Sequence, residues 1–278
     1  MKRIKRFTPA HRLFHLILML SFVFQSISGL ARMYVGTEWG LFLANLFGGF
    51  QKTLMLHKWV GLFMLAGFGV HLLYILIRID WRHFPKSVYG PDSLLPRLED
   101  ASQALQHAKW MVGMSEWPRF DRWGYWEKFD YWAVSWGICV LGGTGLLLYL
   151  PVYSSLYIPG WVLNIVLWVH RIEAILAMAH VFIIHLFIGH LRRHNFPMDL
   201  VMFEGSVDLE KARHERPDWV DRMEKEGKLQ EAIVKAAPVY FRIACYIFGF
   251  AMISGCLYLL VNSLANAGSL FGWFNHRP

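Results

Sequence analysis

His57 and His71 stand fourteen residues apart in one apolar run, and His170 and His185 stand fifteen apart in another. Neutral imidazole is a common ligand of haem iron, and an ionisable side chain inside a membrane is costly enough to be read as functional. At about 1.5 Å per residue, each pair spans about 21 Å of helix, with the second ring turned only about 40° or 60° from the first. If the two helices run in the same direction, His57 shares a level with His170, and His71 shares one with His185. The spacing predicts two haems stacked across a bilayer, each held by two histidines. One histidine in an apolar helix is more often a hydrogen-bonded core residue, but four at matching depths are poorly explained in that way.

His15, in a further apolar run, competes with His71 for the partnership of His185, so the second pair is His185 with either His15 or His71. His180 and His190 lie in the same run as His185. On an α-helix His190 is rotated about 140° from His185, so the two cannot face one iron. His190 then serves either a third haem or a quinone or proton site. Arg171 and Glu173 flank His170, where they can pair with each other, snorkel to an interface, or bring Arg171 to haem propionates. His11, His83, His107, His194, His214 and His276 lie in or near polar segments and read as solvated. The three cysteines, Cys139, Cys245 and Cys256, sit in apolar runs without metal-binding spacing, which disfavours covalent haem attachment and cysteine-held clusters.

These histidines need long helices to carry them. Of the 278 residues 55% are hydrophobic and 16% aromatic, and the mean hydropathy is +0.33, too apolar for an ordinary soluble domain. Windows of about 20 residues give five spans, at 13–30, 54–77, 131–150, 161–186 and 239–261. The expected fold is one all-α domain over the whole chain, an integral membrane bundle of five transmembrane helices. The first span is too long for a cleaved leader's apolar core and contains His15.

The net charge of +8 follows topology rather than a nucleic-acid surface. Basic residues crowd the N-terminus, the 80–128 connection and the 199–237 connection, whereas the intervening connections and C-terminal tail are nearly free of them. The positive-inside rule places the N-terminus and both long connections in the cytoplasm and the C-terminus on the periplasmic side. Helical stretches are expected at 98–114, 208–215 and 217–230. The alternating rings and charges of 119–130 suit the headgroup level.

Arg12-Leu-Phe-His15 with the run ending Ser28-Gly-Leu30, Leu56-His-Lys-Trp-Val-Gly61, and His170 with His185 resemble the b-type cytochrome subunit of respiratory formate dehydrogenases and nickel-iron hydrogenases. A narrower resemblance is to cytochrome b/b6-domain membrane proteins associated with periplasmic multihaem c-type cytochromes. It is carried by Gly90-Pro-Asp-Ser-Leu-Leu-Pro-Arg97, the segment from Arg119 to Ala133, His170 to Ala177, His185 to Leu191 and Phe196-Pro-Met-Asp199. The resemblance implies a multi-pass protein of the bacterial inner membrane with two haem b groups, reacting with menaquinone or ubiquinone. It implies an outer pair of His57 with His170 and an inner pair of His15 with His185. His71 and His190 are additions to the formate dehydrogenase pattern. The implied partner is a periplasmic c-type cytochrome. The alternatives are a periplasmic formate dehydrogenase or hydrogenase as donor, or a self-contained transmembrane haem reductase.

Overall fold

The computed structural model describes residues 2–192 and 195–271, so His194 and His276 lie outside the described residues. In chain order its main elements are β1 (Arg3–Lys5), α1 (Pro9–Met33), α2 (Glu38–Asn45), α3 (Phe50–Arg78), α4 (Leu98–Met111), α5 (Tyr125–Tyr149) and α6 (Gly160–Ala179). These are followed by π-helical turns at His180–His185 and Phe187–Leu191, then β2 (Ser206–Asp208), α7 (Leu209–Glu215), α8 (Pro217–Lys225), β3 (Ile233–Val234) and α9 (Val239–Ala265).

The chain is an all-α helical bundle and a multi-pass membrane protein. Among the described residues five helices are long and apolar enough to cross a bilayer: α1, α3, α5, α6 with its π-helical continuation to Leu191, and α9. Most run past the hydropathy windows, because a charged residue ends an apolar window without ending a ladder of backbone hydrogen bonds. α1 starts at Pro9, ahead of Arg12, and α5 starts at Tyr125, ahead of Glu127 and Lys128. Pro151 helps end α5, since its ring cannot continue the helix. α4, α7 and α8 fall where the polar connections predict helices, with α4 stopping at Met111 and α8 at Lys225.

Tertiary contacts group the residues into two compact units. The first comprises residues up to Arg12, Leu72–Val134 and Leu200–Ile243. Its centre is a feature that hydropathy does not reveal, a small antiparallel sheet in which β1 lies between β2 and β3, with Ile4 opposite Val207 and Ile233. Ile4, Val207, Ala212, Trp219, Val220, Met223 and Leu229 form its core. The helix–helix step from α7 to α8 is set by Asp208, which caps α7 by accepting from the Glu210 and Lys211 amides, and by Pro217 at the first position of α8.

Charges stitch the same unit together. Arg222 reaches Asp92 at 2.9 Å and Asp121 at 2.7 Å, and Arg119 reaches Asp218 at 2.6 Å and Asp221 at 2.7 Å. Glu127 takes two buried guanidiniums, Arg6 at 2.8 Å and Arg216 at 3.0 Å. Burial pushes the Asp92 carboxyl up, but the hydrogen bonds and charges of Arg222 and Arg122 outweigh it and hold the group below its usual range. The Arg222 guanidinium is raised, chiefly by its hydrogen bond to Asp121.

The second unit comprises Leu13–His71, Ser135–Asp199 and the chain from Ala244. Its helices turn apolar residues outward, as at Met55, Trp59, Phe63 and Val70 on one side of α3, which is the surface lipid would cover. Small and hydroxylated residues are turned inward. Ser21, Ser26 and Ser28 of α1 are buried, and each hydroxyl donates to the carbonyl four residues earlier. Tyr34 ties the end of α1 to α9 by donating to the Ser263 carbonyl at 2.7 Å.

Candidate functional site

Within the second unit α1, α3, α5 and α6 enclose a cavity of about 320 Å³. Its size falls at the lower end of small-molecule sites, about 300–1,000 Å³. His57 of α3 and His170 of α6 both line it, their ring centroids 6.4 Å apart and their planes at 77°. An imidazole nitrogen lies about 1.1 Å from its ring centre and a metal–imidazole bond is about 2 Å long, so two rings on opposite sides of one metal stand about 6.3 Å apart. The separation is thus the one a shared axial metal needs, and it is too long for a direct hydrogen bond between the rings.

Each ring is tethered at its other nitrogen. His57 Nδ1 is 2.8 Å from Ser28 Oγ, and His170 Nδ1 is 2.8 Å from Thr144 Oγ1. Glycines adjoin both hydroxyls. A Cβ on Gly29 would sit 3.6 Å from His57 Cε1, and one on Gly145 would sit 3.5 Å from His170 Cε1. Gly29, Gly61, Gly142 and Gly145 all line the cavity; the side chains of Gln25 and Leu65 close over Gly61 and Gly142, while Gly29 and Gly145 leave room beside the two rings. Arg32, Lys58 and Arg171 bring positive charge to its lining, next to Leu54, Leu65, Ile138 and Leu141. Lys58 donates to the Tyr149 carbonyl at 2.7 Å, and Arg171 lies over the Trp168 ring at 5.8 Å. An apolar slot with cations and two facing imidazoles has the donor set of a bis-histidine haem carrying acidic substituents.

A second histidine pair lies in the same unit. His15 of α1 and His185 in the π-helical turn have ring centroids 6.3 Å apart, with planes at 35°. His71 packs edge-on against Phe14, centroids 5.0 Å apart. Among the described residues no group of three or more His, Cys, Asp or Glu side chains could hold a metal ion, whereas an axial haem pair needs only two.

The π-helical turns correct the rotational argument made for α6. A π-helix has about 4.4 residues per turn, so residues five apart are offset by about 50°. His180, His185 and His190 are spaced by five through this stretch, and the 140° that separates His185 from His190 on an α-helix does not apply. The turn ends under side-chain control. Asn195 Nδ2 donates to the Gly189 carbonyl at 2.8 Å and Arg192 Nε donates to the Ile188 carbonyl at 2.8 Å. His190 Nδ1 is buried without a hydrogen-bond partner among the described residues.

His107, which the polar surroundings predict as solvated, lies instead in an aromatic cluster of the first unit. Its Nδ1 is 3.0 Å from Tyr125 Oη and its ring is 4.9 Å from that of Trp117 and 5.6 Å from that of Trp126. His83 is exposed and bonded to Asp80 at 2.7 Å, consistent with a surface residue.

Ser28 and Thr144, which tether the two rings, are given no site role by the sequence reading, where Ser28 enters only through the family resemblance. The signal that could have found them is a hydroxyl followed by glycine in mid-helix, Ser28-Gly29 and Thr144-Gly145, which occurs on both helices beside a histidine-bearing one. No known family model and no curated protein matches the chain.

Proposed function

We propose that this chain is a dihaem b-type cytochrome subunit that passes electrons across a membrane, between a quinone pool and a redox partner on the periplasmic face. One observation carries the reading: two cross-helix histidine pairs, His57 with His170 and His15 with His185, each at the ring separation of a shared axial metal. The family resemblance of the sequence supports the same two pairs. Haem b, when bound, supplies a one-electron couple whose potential follows its axial ligands and surroundings.

The chain's own residues do the rest. His57 and His170 offer nitrogen ligands on opposite sides of an apolar cavity, and His15 and His185 offer a second set. Arg32, Lys58 and Arg171 at the cavity lining would balance the acidic substituents of a bound haem. Quinol oxidation releases protons, and His190, five residues after His185, and His71, packed against Phe14 beside His15, are imidazoles that could exchange them. The basic N-terminus and long connections favour a cytoplasmic location for that end, with the acceptor, a c-type cytochrome, on the other. The reading also places the chain in a bacterial inner membrane with menaquinone or ubiquinone as the lipid-soluble reactant. Reduction of the purified protein's haem by a quinol analogue, followed by reoxidation by a soluble c-type cytochrome, tests it. A haem-free protein, or one whose haem no quinol reduces, would refute it.

A further inference from the structure

We infer that Ser28 and Thr144 are positioning residues that fix the tautomer of His57 and His170 and so determine which nitrogen is available as a ligand. The inference rests on the haem reading of this cavity and goes beyond it to hydroxyls on the two neighbouring helices. A serine or threonine hydroxyl has one proton to donate. Ser28 spends its proton on the carbonyl of Phe24 at 2.8 Å, and Thr144 spends its own on the carbonyl of Val140 at 2.6 Å. With the proton committed to the helix backbone, each hydroxyl oxygen can only accept from the imidazole. The 2.8 Å contacts to His57 and His170 are therefore Nδ1–H donations to Ser28 and Thr144.

A neutral ring with its proton on Nδ1 leaves the Nε2 lone pair as the metal-binding site. Had the hydroxyls donated, Nε2 would carry the proton and could not bind iron. The device also holds ring rotation, because Ser28 is fully buried and its hydroxyl is locked to its own helix. Its repetition on two helices, each time with a glycine following, provides room beside Cε1 for the approach of a flat group.

The test measures haem transfer to apomyoglobin and the low-spin electron paramagnetic resonance spectrum of purified, membrane-extracted full chains. Ser28→Ala should release the haem of the His57–His170 site 10–100-fold more readily, in the range found when outer partners of metal-binding histidines are removed. The haem that remains should show a changed low-spin signal from that site alone. Thr144→Ala should do the same at that site. Ser28→Thr and Thr144→Ser keep the hydroxyl and should restore both readouts. A folded Ser28→Ala protein with full haem, wild-type retention and an unchanged signal would overturn the positioning role while leaving the haem reading intact. Lowered thermal stability with an unchanged signal would also overturn it, by reducing Ser28 to a packing residue. A wild-type chain that binds no haem would overturn both.

Discussion

His57 and His170, on helices α3 and α6, hold their rings 6.4 Å apart with planes at 77°, and each ring's Nδ1 is 2.8 Å from a hydroxyl of a further helix. Two interhelical hydrogen bonds to neutral imidazoles, each worth about 0.5–1.5 kcal/mol, are not enough to explain why four helices converge on a cavity rather than closing it. At Gly29 and Gly145 an added Cβ would meet only the histidine rings, at 3.6 and 3.5 Å, so small side chains could be accommodated there. A space lined by two imidazoles and three cations would suit the bound group proposed above.

The two histidine pairs differ in ring orientation, 77° for His57 with His170 and 35° for His15 with His185. Axial imidazole planes that cross near a right angle leave the iron orbitals nearly degenerate, while nearly parallel planes split them. The oxidised protein is therefore expected to show two distinct low-spin signals, the more anisotropic one from the His57–His170 site. Electron paramagnetic resonance on His57→Ala and on His15→Ala should remove one signal each.

Filling the cavity should exclude its occupant. Leu in place of Gly145 would drive a branched side chain into the space beside His170, at a cost of about 1–3 kcal/mol for overpacking when the group is bound. Gly145→Leu is expected to lose haem from one site by about tenfold or more and keep the other, as read from haem content per chain. Gly69→Ala, where an added Cβ meets nothing within 4 Å, should leave both unchanged.

Glu127 is the shared carboxylate of Arg6 and Arg216, both buried. Removing one member of a buried ion pair costs about 3–5 kcal/mol, since a buried charge loses its counter-charge. Glu127→Gln should lower the thermal midpoint of the purified protein well beyond the effect of Glu99→Gln, whose carboxylate is mostly exposed. Equal midpoints for the two would show that Glu127 contributes no more than a surface charge.

Asp92 carries the clearest acid dependence. Its folded carboxyl is held below its ordinary value by Arg222 and Arg122, against the opposing effect of burial. A depressed carboxylate adds stability that is present above the unfolded value, near 3.8, and is lost as pH falls through the lower folded value. Thermal midpoints should therefore be flat across neutral pH and fall below about pH 4. In Asp92→Asn the neutral-pH midpoint should be lower and the acid loss smaller.

Much of this site was legible in the residues. Apolar length marked the five spans, because a bilayer demands about 20 such residues, and histidine spacing marked the two levels because α-helical rise is nearly constant. The choice between His15 and His71 was not, since two helices can offer a histidine at the same depth and only packing decides which ring meets His185. The π-helical turns escaped detection because a change of hydrogen-bond register leaves hydropathy unaltered, yet it re-aims His185 and His190. β1 was hidden in a basic N-terminus three residues too short for any alternation to register, and its partners Val207 and Ile233 lie more than 200 residues away.

Haem stoichiometry in the purified chain and in single histidine variants tests the central claim most directly. Two haems in the wild type, one in His57→Ala, one in His15→Ala and two in His71→Ala are expected. A haem-free wild type, or a haem lost in His71→Ala but retained in His15→Ala, would contradict the pairing of His57 with His170 and His15 with His185.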